Sequence, residues 1–192
     1  MSGSILRTKI PIERVGVLIG PGGSVKRTVE EKLSVQLQVD SKTGDIEVTT
    51  APGVNPANAF RARDIVVAIG RGFSPENALR LLDEELSLII IDLRDFFGRS
   101  RSDIMRVKGR IIGTNGKARR NLEEYTNTKI SVYGHTVSII GDVEHIEVAR
   151  EAINLLIHGG THQSVYRFLD EKKAELRKSE AEIWRSSIGD KK

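Results

Sequence analysis

The chain has 192 residues, of which 39% are hydrophobic and 29% charged, with a formal net charge of +4 and no cysteine. A length of this order holds one or two domains, and the apolar share is enough for a buried core, which excludes a broadly disordered chain. Without a thiol, disulfides, thiolate catalysis and cysteine zinc sites are excluded. The longest apolar run, LSLIII, is far below the roughly 20 residues a membrane helix needs. The start, MSGSILRTKI, has no signal-peptide core, so a cytoplasmic protein with no membrane partner is expected.

In chain order, Ile5 to Ile12 reads as a strand and a short helix follows from about Glu13. A glycine loop leads into a helix over 23–33, with Val25, Val29 and Leu33 at helical spacing. Val35, Leu37 and Val39 alternate as a half-buried strand, residues 41–44 turn, and Ile46 to Thr50 return. Asn55 and Pro56 open a helix to about Gly70. Ser74-Pro75 starts a connecting helix to about Glu85.

The same order then recurs. Leu86 to Leu93 is the strand, Asp103 caps the short helix, and a glycine loop and helix run to about Thr126. Lys129 to Tyr133 and Thr136 to Ile140 form a hairpin, and Asp142 caps a helix ending near Gly159-Gly160. From Thr161 a charged helix runs to about Ser187, with one apolar stripe of Val165, Phe168, Leu169, Leu176 and Ile183. The residues themselves repeat. VLIGPGGSVKRTVEEKLSVQLQV from Val17 aligns without gaps on RIIGTNGKARRNLEEYTNTKISV from Arg110, and ARDIVVAIGRG from Ala62 on AREAINLLIHG from Ala149. Between these blocks the second copy is six residues shorter, since the first pair is offset by 93 and the second by 87. The expected fold is α+β, strand-helix-helix-strand-strand-helix twice, packed together, with a long C-terminal helix. The expected divisions are 1–73, 74–85, 86–160 and 161–192.

Each copy carries Gly-x-x-Gly between its two short helices: Gly20-Pro21-Gly22-Gly23, and Gly113-Thr114-Asn115-Gly116. Without Cβ atoms there, a phosphate backbone can come close to the main chain, and the loop amides with the positive start of the next helix favour an anion. The two settings differ in charge. Between Arg99 and Arg120 eight basic residues face Asp103 alone, so this stretch carries +7. Lys108, Arg110, Lys117, Arg119 and Arg120 flank the second loop, after Ile112; the first loop has Lys26 and Arg27, followed by Glu30 and Glu31. The second loop is therefore the expected main site for a phosphate backbone.

An apolar pair followed by Gly-x-x-Gly, in this element order, resembles the KH domain of type I. That resemblance implies clamping of about four nucleotides of single-stranded RNA over an apolar groove. The groove would use Leu18, Ile19, Val29, Leu37 and Val39 in one copy, and Ile111, Ile112, Leu122, Ile130 and Val132 in the other. Lys26 and Arg119 stand where many KH domains carry an apolar residue. The phrases IGPGGSVKRTVEEK and GRIIGTNGKARRNLEE, the strand LSLIIIDL and the tail HGGTHQSVYRFLD extend the likeness. The chain resembles the archaeal form of the ribosome-assembly family known as the partner of Nob, or Dim-two. The resemblance implies binding of single-stranded small-subunit ribosomal RNA near its 3′ end. It also implies assistance to a processing endonuclease and an rRNA dimethyltransferase. A KH subunit of an RNA degradation or translation complex is the alternative.

No cofactor, metal or catalytic site is expected. A nucleotide-binding phosphate loop fails at Ile111 and Ala118, and the dinucleotide pattern fails at Val25. His158 and His162 are four apart, but Gly159-Gly160 interrupts the helix between them. The carboxylates fall in helix-surface patterns such as Glu123-Glu124.

Overall fold

The computed structural model describes residues 5–189, with side chains as far as Glu175. The chain divides into two compact units, Met1–Ser100 with Lys129–Val143, and Arg101–Thr128 with Glu144–Lys192. The division runs across the sequence repeat: the second copy's strands belong to the first unit and nearly all its helices to the second.

In the first unit, β1 (Ile5–Lys9), β2 (Val35–Val39) and β3 (Asp45–Thr50) form an antiparallel sheet in the order β1-β3-β2. Around it run α1 (Ile12–Ile19), α2 (Ser24–Leu33) and α3 (Ala57–Gly70). The predicted alternation holds: Val35 and Leu37 are buried and Gln36 and Gln38 exposed. Val15 and Leu18 of α1 and Val25, Val29 and Leu33 of α2 meet Ile65, Val66 and Ile69 of α3 in one core. β1 ends before the predicted Ile12. Ile10 turns its amide to the Gly44 carbonyl (3.0 Å) and buries its side chain, and Pro11 sets the start of α1. Asn55 does open α3, its Oδ1 accepting from the Ala57 amide at 3.0 Å. Arg14 closes the far end, donating to the carbonyls of Ile69 (2.8 Å) and Phe73 (2.6 Å).

The connecting helix is shorter than predicted. Ser74 caps α4 (Pro75–Leu79), a 3₁₀ turn covers Arg80–Leu82, and the chain is extended by Asp83. Arg61 donates to the carbonyls of Leu81 (3.2 Å) and Asp83 (2.8 Å), which a continuing helix would have used itself. The sheet that follows contains β4 (Ser87–Asp92), β5 (Lys129–Tyr133) and β6 (Thr136–Gly141), ordered β4-β6-β5 like the first. Every residue of its central strand is buried. Ile140 joins the first copy's core, with Leu86 and Leu88 packed against it. Ser131 Oγ donates to the Arg71 carbonyl (2.8 Å), Tyr133 Oη to Glu13 (2.6 Å), and Arg14 lies over the Tyr133 ring.

Strand register locates the six missing residues. Val39 pairs with Ile46 and Val132 with Val137, so the second hairpin is two residues tighter. The other four are lost between the hairpin and the last helix, where residues 51–55 of the first copy face Asp142 alone in the second and Pro56 corresponds to Val143.

The second unit is helical: α6 (Arg101–Ile112), α7 (Lys117–Thr126), α8 (Val143–Ile157, from its second residue) and α9 (His162–Gly189). Asp103 is not the cap of α6, as predicted; the helix starts two residues earlier, and Asp103 pairs with Arg106 in its first turn at 2.8 Å. One further turn, α5 (Arg94–Phe97) at the end of the first unit, was not anticipated. Asp92 holds it by accepting from the Arg94 amide (2.9 Å) and guanidinium (2.6 Å). Thr161 caps α9 through Ser164, and Val165 and Leu169 of its stripe are buried. Phe168 is half-buried; the side chains of Leu176, Ile183 and Trp184 lie outside the described residues.

Candidate functional site

The two glycine loops take one backbone shape. Gly20 (φ 72°, ψ 172°) corresponds to Gly113 (69°, 178°), Gly22 (57°, 22°) to Asn115 (51°, 30°), and Gly23 (79°, 15°) to Gly116 (73°, 14°). Their hydrogen bonds also match: Gly20 N to Gly16 O and Gly23 N to Gly20 O, against Gly113 N to Gly109 O and Gly116 N to Gly113 O. The first glycine is required twice over. Its φ/ψ pair is open essentially to glycine alone. A Cβ on Gly20 would also stand 2.5 Å from Val25 Cγ2, and one on Gly113 would stand 2.6 Å from Ala118 Cβ. The last glycine is left-handed and launches the next helix, and Asn115 replaces Gly22 because asparagine tolerates that region. Pro21, Gly22, Thr114 and Asn115 face solvent. Neither following helix has an acidic residue in its first turn, so each loop presents amides and a positive helix start.

Beside the first loop, Ile19, Lys26, Gln36, Leu37, Gln38, Val39 and Thr49 line a groove of about 390 Å³ along the open edge of β2. Leu37 and Val39 are thus partly core and partly groove, and Leu18 and Val29 are core only. The first loop's cations already have protein partners. Lys26 pairs with Glu30 at 3.0 Å, and Arg27 donates to the Gly22 carbonyl at 3.3 Å. Glu30 also accepts from the Leu37 amide at 2.8 Å, a contact no sequence pattern announced.

In the second unit, Lys117 and Arg120 are exposed on the first turn of α7, and Ile112 is half-exposed at the end of α6. Lys108 is half-buried on α6. Arg119 is half-buried on α7, its Nε shielded from solvent with no hydrogen-bond partner among the described residues. Arg110 turns elsewhere: its guanidinium donates to the Leu156 carbonyl at 2.8 Å, closing the end of α8, and its own carbonyl accepts from His162 Nε2 at 2.7 Å. His162 and His158 therefore serve different carbonyls, and no metal-holding group of His, Asp or Glu is found among the described residues. Tyr166 packs inward as a spacer, stacked between His162 and Tyr125 and accepting from Asn121 at 3.0 Å. The negative charge of Asp170 holds the Tyr125 hydroxyl above its ordinary pKa.

Residues 87–174 match a family model described as the eukaryotic-type KH domain, KH type I, which defines the class to which this loop and element order belong. Three relatives narrow it. A KH domain-containing protein of Methanocaldococcus jannaschii is 43% identical over 95% of this chain and 80% of its own length. Dim2p of Pyrococcus horikoshii, in a complex with a/eIF2alpha and rRNA, is 43% identical with a TM-score of 0.85, over 90% of this chain and 96% of that one. The pre-rRNA-processing protein PNO1 of Candida albicans is 28% identical over 83% of this chain and 59% of its own length. The chain belongs to the PNO1/Dim2p family of KH proteins, the partner-of-Nob family.

Proposed function

We propose that this chain is a non-catalytic RNA-binding protein that assists processing of small-subunit ribosomal RNA by holding single-stranded RNA near its 3′ end. The observation that carries the reading is the pair of Gly-x-x-Gly loops with matching backbone angles, each presenting a left-handed glycine and a positive helix start. The names of its relatives, a pre-rRNA-processing protein and a Dim2p seen with rRNA, supply the class of RNA.

In this reading the chain holds two tandem type I KH domains, 1–73 and 86–160, linked by 74–85 and followed by a C-terminal helix and tail over 161–192. Gly113, Thr114, Asn115 and Gly116 hold the RNA backbone, with Lys117, Arg119, Arg120 and Lys108 supplying charge and Ile112 an apolar contact. Arg110 contributes less, because its guanidinium already serves the end of α8. Gly20, Pro21, Gly22, Gly23, Lys26 and Arg27 form a second, weaker site. The C-terminal helix offers a surface for a processing endonuclease or an rRNA dimethyltransferase in the cytoplasm.

The test is a titration of the full chain against a single-stranded oligonucleotide copying the small-subunit 3′ end, at several salt concentrations. Binding that weakens steeply with salt, and does so less steeply in a Lys117→Ala, Arg120→Ala double variant, is expected. Salt-independent or absent binding overturns the proposal. A role in a translation complex is kept as a second reading because Dim2p of Pyrococcus horikoshii is seen with a/eIF2alpha. Capture of that purified subunit by this chain would favour it.

A further inference from the structure

We propose that Arg119 selects the base held beside the second loop. It would take a base with two adjacent acceptors, guanine through O6 and N7 or cytosine through O2 and N3. This rests on the RNA-binding reading above. Its starting point is an unsatisfied donor: Arg119 Nε is shielded from solvent and has no hydrogen-bond partner among the described residues. A guanidinium stays charged and carries five donors in a rigid plane. Leaving one of them buried and unpaired is costly, and native structures seldom keep such a group without a use for it.

The position matters as much as the donor. Arg119 stands 93 residues after Lys26, within the ungapped repeat. Lys26 lines the groove of the first copy, together with Ile19, Leu37 and Val39. There the cation is a compact ammonium already met by Glu30 at 3.0 Å. In the second copy the same place on the helix carries a planar fork instead. Arg119 also lies two residues after Lys117, about 3 Å further along the helix axis. A phosphate held at the loop therefore leaves its neighbouring base over this turn of α7.

The fork's geometry chooses among the bases. Two parallel N–H groups need two acceptors side by side. The Hoogsteen edge of guanine and the Watson–Crick edge of cytosine each provide them. Adenine sets a donor amino group beside each of N7 and N1, and uracil separates its two carbonyls by an N–H. A lysine would bind all four with little preference, because its ammonium is a point charge.

The experiment uses the full chain and octauridylate, with single guanosine, cytidine or adenosine substitutions walked along it, measured by fluorescence anisotropy at one salt concentration. The wild type should bind the best guanosine- or cytidine-containing oligonucleotide about tenfold or more tighter than the adenosine one. Arg119→Lys, which keeps the charge, should shrink that ratio to about twofold or less by weakening the guanosine- or cytidine-containing oligonucleotides more than octauridylate. Arg119→Gln, which also removes the charge, should lose the ratio as well. Replacing guanosine by 7-deazaguanosine separates the two bases: a loss of affinity assigns guanine, and no loss assigns cytosine. If Arg119→Lys keeps the ratio, or weakens all oligonucleotides equally, Arg119 is not the selector and this inference is overturned while RNA binding stands. If the wild type binds none of the oligonucleotides, the underlying reading fails instead.

Discussion

The two glycine loops differ by no more than about ten degrees at matched backbone angles, yet their surroundings are unlike. The first loop ends in Pro21-Gly22-Gly23, and its nearby cations are engaged by Glu30 and by the Gly22 carbonyl. The second offers Thr114-Asn115-Gly116 and then Lys117, Arg119 and Arg120 on one turn of helix. Backbone geometry is thus shared by the two copies of the motif, and charge is what distinguishes their surroundings. A phosphate contact needs both: close approach from glycine, and a cation whose charge is not already spent on a neighbouring carboxylate.

The largest effect that can break this comparison comes from reversing the charge of each loop. Gly116→Asp with Lys117→Asp adds two negative charges, removes one positive, and places side chains where the proposed RNA contact needs close approach. Affinity for a single-stranded ribosomal 3′ end should fall by on the order of a hundredfold or more at low salt. Gly22→Asp with Gly23→Asp should cost less, about tenfold or below. Both variants must first give wild-type circular dichroism. A greater loss from the first-loop pair would invert the ranking of the sites.

Next in size is stability, where the loops should behave alike. Gly20→Ala and Gly113→Ala each place a Cβ about 2.5 Å from a neighbouring side chain, in a conformation closed to other residues. Each should destabilise the fold by roughly 2–4 kcal/mol in urea unfolding. A difference between them above about 1 kcal/mol would show that one loop can relax and the other cannot.

A smaller effect separates the cations within the second copy. Arg110→Ala loses the bond to the Leu156 carbonyl and should cost about 1 kcal/mol of stability, with a modest change in RNA affinity. Lys117→Ala should do the opposite: affinity drops a few-fold, the salt slope falls by about one, and unfolding is unchanged. Identical behaviour of the two would dissolve the distinction between a structural and an RNA-facing arginine or lysine.

The smallest effect lies in the bond from Tyr133 to Glu13. The hydrogen bond from Tyr133 holds the Glu13 carboxyl below its ordinary range, and the same bond raises the tyrosine. For a carboxylate depressed in the folded state, the stabilisation is present above its ordinary pKa and is lost as pH falls through the folded value. For a tyrosine raised in the folded state, it is present below its ordinary pKa and lost as pH rises through the folded value. Tyr133→Phe should therefore lower the thermal midpoint slightly near neutral pH, with the difference from wild type shrinking at both acid and alkaline extremes. A difference that persists undiminished at both ends would mean the tyrosine acts through packing rather than through this bond.

Much of this was legible in the residues. The repeat, the element order and both loops follow from local signals: Gly20 and Gly113 at matched places, Val35, Leu37 and Val39 alternating, Asn55 before Pro56 at a helix start. Two boundaries differ. Asp103 looked like a cap, but the helix begins two residues before it, which makes Asp103 a first-turn residue paired with Arg106. The connecting helix looked complete to Glu85, but Arg61, twenty residues earlier, takes the Leu81 carbonyl. In the second case a side chain recruited a carbonyl that local propensity had assigned to a continuing helix.

By itself, the sequence determined what depends on neighbours along the chain: which segments are strands and helices, where the glycine turns fall, and that the positive charge gathers after Arg99. Tertiary structure decided which basic residues are taken by partners far along the chain. Lys26 and Lys117 read alike as basic residues just after a glycine loop, as do Arg110 and Arg120 on either side of one. The Lys26–Glu30 pair lies one helical turn apart and is within reach of the sequence, whereas the Leu156 carbonyl, 46 residues away, takes Arg110 only in the folded chain. A charge's value to a ligand is set by what else is within hydrogen-bond reach, and that is a property of the folded chain.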